Sequence, residues 1–400
     1  MKYPFANPNL RFIDFLCALN ISSNNAKYII ENYFRNITGK RYILITNSCR
    51  TALYIAYKAI DKKGEVVTSP LTCKAAIDPI EESDNIPVYA DIKLSDLNIN
   101  PDDIQHRISN NTVAIQPIHI GGNSCDMEEI TEIARNNNLF LIEDCAQSLG
   151  ATHKGKNTGS FGDISCFSLI KNAYGIGGGI LATDSYKIYE KAKSINGECA
   201  KPSKFLLFYR IIRNIFDTKR KYYIWRILFN TLMKLRSKRK HYRNVAMQLY
   251  QISDIELKIA ALQIKRINQL HLERKKVGKT FYDVLLKNDF MINKNYDKDN
   301  SSFTKLILYN PNINSRQYLQ ILNNNGIEAM HLEHKYGSPY QERLISKAEA
   351  DKIGLINYNK VHDSLLALPL TEYMKYNDIE YIVKTMERIN GRSETFKHIN

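Results

Sequence analysis

Three short stretches carry residues whose chemistry could be joined. Lys171 follows an apolar run, 164–169 (ISCFSL), and precedes a glycine-rich stretch containing Gly175, Gly177, Gly178 and Gly179. A lysine at a strand end beside such a turn can be partly desolvated, which makes its amine a candidate Schiff-base nucleophile. The competing reading is an ordinary solvated lysine. Asp144 closes a second apolar run, 139–143 (LFLIE), with Gln147 three residues on. A carboxylate there can hold a cationic heterocyclic nitrogen while Gln147 reaches a ring substituent; otherwise it caps the segment that follows. The third stretch, Ser48-Cys49-Arg50-Thr51, leads from a strand into a helix. Amides and hydroxyls at a helix N-terminus form an anion site suited to phosphate, or plain helix capping. The glycines also fit a dinucleotide loop, but a strand follows them where that motif needs a helix.

In chain order these are a phosphate cup, an acid on a strand end and a lysine before a glycine turn. Pyridoxal phosphate needs that set: the acid keeps the pyridine nitrogen protonated, and the lysine holds the aldehyde and shuttles a proton. The elements that must position them read as α/β. Strands are predicted at 41–46, 65–69, 87–92, 112–118, 139–143, 164–169 and 179–183. Helical patterns fall at 24–35, 47–60, 74–82, 127–136 and 185–195. Strands alternating with helices imply a largely parallel sheet covered on both faces, with its sites outside the carboxyl ends of the strands. A long helical pattern restarts at Ser253 and a smaller α+β region follows. The expected organisation is a large domain over 1–200, a basic helical insertion over 201–250 and a small domain over 251–400.

With 400 residues, 44% hydrophobic and 24% charged, the chain excludes disorder and low-complexity classes. Its net charge is +15, but residues 201–243 hold 14 Lys or Arg against one acid, Asp217. That run carries +13 and the remainder only +2. Its apolar residues recur at helical spacing, as two basic amphipathic helices with a break near Asp217. Three roles compete for it: a solvated flap or packing element, a membrane-surface anchor, and a clamp for an acidic substrate. Nucleic acid is not expected, because no binding fold accompanies the charge. No apolar run approaches a membrane span, and no apolar region follows the start as in a secretory signal. Seven cysteines without CxxC spacing read as reduced cytoplasmic thiols. His331 and His334 suggest metal, yet their flanks give no third ligand, so none is expected.

The blocks NSCRTAL (47–53), SPLTC (69–73), PVYADI (87–92), AIQPIHIGG (114–122), LIEDCAQSLGATHKGKNTGSFGDISCFSLIKN (141–172), GGGILATD (177–184) and LALPL (366–370) run in one order. Through them the chain resembles the DegT/DnrJ-type sugar aminotransferases, a branch of the fold-type I pyridoxal-phosphate enzymes. The resemblance implies Lys171 as the Schiff-base lysine, Asp144 as partner of the pyridine nitrogen and Gln147 near the ring hydroxyl. It implies Cys49, Arg50 and Thr51 at the phosphate cup with Ser168 nearby, and Cys73 where the ring-stacking residue stands. His119 would lie on a strand end facing the ring, and His331 in the substrate pocket. The chain departs from the family at Cys49-Arg50, commonly Gly-Thr, and at Cys73, often aromatic. The stretch from Ser168 to Lys171 is two residues shorter. Leu249 and Tyr250 stand where relatives send an asparagine into a neighbour's site. Some relatives carry histidine at the lysine position and dehydrate sugars; Lys171 argues against that.

The expected activity is pyridoxal-phosphate-dependent transfer of an amino group, with L-glutamate as donor by analogy, to a nucleotide-linked keto sugar for surface polysaccharide. The resemblance further implies a cytoplasmic homodimer, peripheral at a membrane if the basic run is an anchor. The rival readings are a sugar dehydratase and a non-catalytic regulatory homologue.

Overall fold

The computed structural model describes residues 12–173, 175–202, 249–290, 299–311, 315–330, 345–361 and 364–389, with Tyr3, Leu10, Leu207, Ile211 and Asp297. Helix α1 (Phe12–Leu19) is followed by α2 (Ser23–Thr38), β1 (Tyr42–Thr46), α3 (Cys49–Ile60), β2 (Glu65–Thr68), α4 (Lys74–Glu81) and β3 (Ile86–Tyr89). Then come α5 (Pro101–Arg107), β4 (Thr112–Gln116), α6 (Met127–Asn136), β5 (Phe140–Asp144) and a small hairpin of β6 (Thr152–His153) and β7 (Lys156–Asn157). The sheet is completed by β8 (Ile164–Ser168) and β9 (Gly179–Thr183), with α7 (Tyr186–Glu198) after it.

The seven-stranded sheet has the order β1-β9-β8-β5-β4-β2-β3. Only β9 runs against its neighbours, β1 and β8; the other pairings are parallel. β1, β2, β4, β5 and β8 therefore end on one edge, and β9 starts there. The inner strands β4, β5, β8 and β9 are almost wholly buried, as apolar runs covered on both faces must be, while the edge strand β3 has no buried residue. The architecture is the α/β fold with a mainly parallel sheet that the alternating pattern predicts.

Two expected strands stop short. The run 112–118 ends at Gln116 because Pro117 has no N–H to extend the ladder. The run 87–92 ends at Tyr89, since Asp91 is used otherwise. Its carboxylate accepts the amides of Asn357 and Tyr358, both at 2.8 Å, in the first turn of α12 (Ile356–Val361).

After residue 250 the chain feeds two cores. Helix α8 (Asp254–Lys265) starts in a capping box between Ser253 and Glu256. It packs Ala260, Ala261 and Ile264 against Ile30 and Phe34 of α2 and Phe167 of β8. Helix α9 (Ile267–Lys287) lies with β10 (Leu306–Tyr309), α10 (Ser315–Asn324), β11 (Leu365–Leu368) and α13 (Tyr376–Ile389). Phe281, Leu285, Leu308, Leu322, Leu366 and Ile382 form their common core. The short α11 (Lys347–Lys352) and α12 pack Ala350 and Tyr358 against Ile92 and Ile118 of the sheet side. Most of the basic run 201–243, and so its expected helices, lies outside the described residues.

Candidate active site

The shared strand edge gathers the sequence candidates. Ser48 caps α3: its Oγ accepts the Thr51 amide at 3.1 Å and lies 3.0 Å from Thr51 Oγ1. β9 passes so close that a Cβ on Gly179 would sit 2.2 Å from the Ser48 carbonyl carbon, hence glycine there. Cys49 is buried at the first turn, with Sγ 4.0 Å from Asp144 Oδ1. Burial, then the Asp144 and Cys166 charges, push the Cys49 thiol well up, although Lys171 opposes them. It is therefore a neutral thiol. Cys73 stands at the N-cap of α4 without a side-chain cap bond, near enough to Cys49 to affect it.

Asp144 ends β5, 3% exposed, and its Oδ1 accepts the Ala146 amide at 2.9 Å. Burial raises its pKa above the carboxylate norm, although Lys171, the Ala146 amide and His119 pull the other way. Lys171 follows β8 in a turn and is half-buried. Among the described residues, neither Asp144 Oδ2 nor the Lys171 amine has a hydrogen-bond or ion-pair partner. An acid and an amine within each other's field, unpaired with each other, leave a polar group of opposite demand to be supplied from outside. A protonated ring nitrogen would satisfy the buried carboxylate, so these residues fit a pyridine cofactor.

Ser168, at the end of β8, accepts the Ile170 amide at 3.3 Å. Gln147 accepts the Gly121 amide on its Oε1 at 3.3 Å. Its backbone carbonyl takes the hydroxyl of Ser302 at 3.0 Å and that of Thr304.

Two expectations change. Arg50 does not turn its guanidinium to the phosphate cup: Nη2 lies 2.5 Å from Asp78 Oδ2 and 3.5 Å from Glu82 Oε1, on and just after α4. The cup is left with the Ser48 and Thr51 hydroxyls and the helix amides. His119 does not offer a ring nitrogen to the site. Its Nε2 donates to Glu143 Oε1 at 3.0 Å, and its Nδ1 accepts the Cys125 amide at 3.1 Å. Both nitrogens are engaged with interior groups, so neither is free to act on a bound ring. Glu143 also accepts the amides of Gly159, Phe161 and Gly162 and the Ser165 hydroxyl. Burial pushes that carboxyl up, but the His119 bond and the glycine amides outweigh it and hold it below its usual range. His119, Glu143 and Cys145 bring ligand-type atoms within 4.8 Å of one another, yet the Glu143 oxygens are already filled by these donors. His331 lies outside the described residues.

Sequence reasoning missed the group that fixes the lysine turn. Asn172 donates to the Leu149 carbonyl at 3.0 Å and accepts from Arg274 Nη1 at 2.9 Å and Thr304 Oγ1 at 2.7 Å. Arg274, on α9, reaches Glu372 Oε2 at 3.2 Å, both side chains being buried. A visible signal existed: Arg274 falls at the apolar-face spacing of α9, between Leu270 and Gly278. Removing one member of a buried pair strands the other, so Arg274→Ala should cost about 3–5 kcal/mol in denaturant unfolding. Glu372→Gln, which keeps an acceptor, should cost less.

His271 lies one turn earlier, and burial, helped by Lys275, lowers its pKa from 6.5 to about 4. A histidine depressed on folding contributes stability above its unfolded value and loses it as pH falls through the folded one. Between pH 6.5 and about 4 the chain should lose roughly 3 kcal/mol at this residue. His271→Gln should flatten that limb of a stability–pH curve measured by thermal melting.

An α/β sheet with a helix-capped anion cup, a strand-end acid and a later lysine on one edge defines a pyridoxal-phosphate enzyme of fold type I. Residues 21–387 match the DegT/DnrJ/EryC1/StrS aminotransferase family, and the chain belongs to it. It is 37% identical over 170 residues to the spore coat polysaccharide biosynthesis protein SpsC of Bacillus subtilis, covering 42% of this chain and 44% of that protein. With that relative the chain spans less than half the length. It is 26% identical over 365 residues, 90% of this chain and 88% of the relative, to the dTDP-3-amino-3,6-dideoxy-alpha-D-galactopyranose transaminase of Aneurinibacillus thermoaerophilus. In fold it is similar to the E coli GDP-4-keto-6-deoxy-D-mannose-3-dehydratase with bound hydrated PLP. The TM-score is 0.71 at 17% identity, over 96% of this chain and 98% of that one.

Proposed function

We propose that this chain transfers an amino group from an amino acid, L-glutamate, to a nucleotide-linked keto sugar destined for surface polysaccharide. The observation that carries the reading is the unpaired couple of Asp144 and Lys171 on the strand edge. Bound pyridoxal phosphate supplies an aldehyde that accepts the amino group and a ring that withdraws electrons. Asp144 would hold the protonated ring nitrogen, and the α3 N-terminus with Ser48, Thr51 and Ser168 the phosphate. Gln147 would meet the ring edge, and Cys73 one face of the ring. Lys171 Nζ is the base: it takes the proton from the donor's α-carbon and returns one to the sugar carbon that gains nitrogen. Asn172 keeps that amine aimed, through Arg274 and Glu372.

The transaminase among the relatives supports the sugar substrate, and a polysaccharide protein supports its destination. Free thiols at all seven cysteines support a cytoplasmic place. A homodimer with its sites at the interface is supported by two exposed apolar residues beside the lysine turn, Ile170 and Leu272. Incubation with glutamate and a panel of nucleotide-linked keto sugars, followed by mass analysis, tests the reading. Exchange of the keto oxygen for an amine, with ping-pong kinetics, is expected. Loss of water would make the chain a dehydratase. Protein that stays colourless with added cofactor, and gains no borohydride-fixed adduct on Lys171, would make it a non-catalytic binder.

A further inference from the structure

We propose that Ser302 and Thr304 are positioning residues for the cofactor. They lie in a strap, residues 301–305, that leads into β10 and fastens the loops after β4, β5 and β8 to one another. This rests on the proposed transaminase chemistry, since two of those loops carry Gln147 and Lys171.

The strap is held from both sides. The Ser302 and Lys305 amides donate to the Gly122 and Gly121 carbonyls at 2.9 and 3.1 Å, in the turn after β4. The Ser301 hydroxyl reaches the Gly122 carbonyl at 3.0 Å. The approach is close: a Cβ on Gly122, where φ is +94°, would sit 2.3 Å from Ser302 Oγ and 3.1 Å from the Gln147 carbonyl oxygen. On the far side Phe303 is wholly buried in the core of Phe281, Leu285 and Leu306. A Cβ on Gly278 of α9 would collide with its ring at 2.3 Å. Phe303 holds φ +48°, a left-handed conformation that a bulky residue keeps only where its surroundings impose it. With that bend the ring enters the C-terminal core, while the hydroxyls before and after it face the sheet edge.

The available protons assign each hydroxyl its acceptor. Asn172 Nδ2 has two: one goes to the Leu149 carbonyl at 3.0 Å, the other to Ser302 Oγ at 3.2 Å. Ser302 then gives its own proton to the Gln147 carbonyl at 3.0 Å. Thr304 has one proton and two acceptors, the Gln147 carbonyl and, at 2.7 Å, Asn172 Oδ1. With Ser302 on the carbonyl, the Thr304 proton serves Asn172 Oδ1, beside Arg274 Nη1 at 2.9 Å. The two hydroxyls thus fix the distance between the loop of Gln147, at the ring edge, and the turn of Lys171. Without Thr304 Oγ1, Asn172 Oδ1 keeps Arg274 alone and the lysine turn can drift against the ring, and a small misplacement there is costly.

Titration of the full cofactor-free chain with pyridoxal phosphate, followed by visible absorbance across pH well below the melting temperature, tests this. Thr304→Val keeps the shape and removes the hydroxyl. It should bind the cofactor about three- to tenfold more weakly and move the pH midpoint of the absorbance by about half a unit. Thr304→Ser, which keeps the hydroxyl, should restore both. If valine unfolds the chain, Ser302→Ala gives the same two readouts. A role in the fold alone would lower the melting temperature of Thr304→Val and leave affinity and midpoint native; that result overturns the proposal. So does a serine variant that behaves as the valine one. Native protein that develops no visible absorbance with the cofactor overturns the transaminase chemistry itself, and the proposal with it.

Discussion

Lys171→Ala should lose at least about four orders of magnitude in turnover, because one amine serves as both covalent anchor and proton carrier. The amine has no hydrogen-bond or ion-pair partner among the described residues, so its removal strands no polar group and the fold should survive. The useful measurement is a pair: steady-state amination, and the visible absorbance of the purified protein with added cofactor. Lys171→Ala should lose the first outright and change the second, since the cofactor is then held by the phosphate cup and Asp144 alone. Full activity with unchanged absorbance would remove Lys171 from its role.

Asp144→Asn should act oppositely on activity and stability. Losing the charge that holds a buried cation is worth about 3–5 kcal/mol, which predicts a fall in turnover of about two to four orders of magnitude. The cofactor-free protein should become more stable near neutral pH. Burial raises the Asp144 pKa in the folded chain. A group raised on folding favours the fold below its unfolded pKa and stops doing so as pH climbs through the folded one. At neutral pH the ionised Asp144 therefore works against the fold, and asparagine removes that burden. Thermal melting of the cofactor-free pair across pH should show the gap opening as pH climbs from the ordinary carboxylate value to the raised folded one, and staying open above it. A variant that melts lower than native at pH 7 would show that Asp144 is a structural acid.

The strand edge, the lysine and the acid were legible because each rests on local pattern. An apolar run fixes the strand, and its end fixes where the next polar residue stands. Adjacent Glu143 and Asp144 illustrate the limit. Successive strand residues face opposite sides, so one of the two had to leave the site. Which partners receive Glu143, namely His119 and the Gly159–Gly162 turn, depends on loops that no period encodes. Arg50 was misplaced for a similar reason. Its position in the first turn of α3 is local, but the pull of Asp78 and Glu82 exists only once α4 packs alongside. Arg274 and Glu372 lie 98 residues apart, and only a buried cation at an apolar helix position hinted at them.

The clamp on Asn172 also sets an order of events at the ribosome. Arg274 is translated 102 residues after Asn172, and Glu372 another 98 after that. The sheet and its anion cup can close around the first 200 residues while the lysine turn still lacks its fastening. Competence to hold the cofactor correctly is thus a late acquisition of the growing chain. A nascent or truncated polypeptide would carry the reactive amine without the geometry to use it.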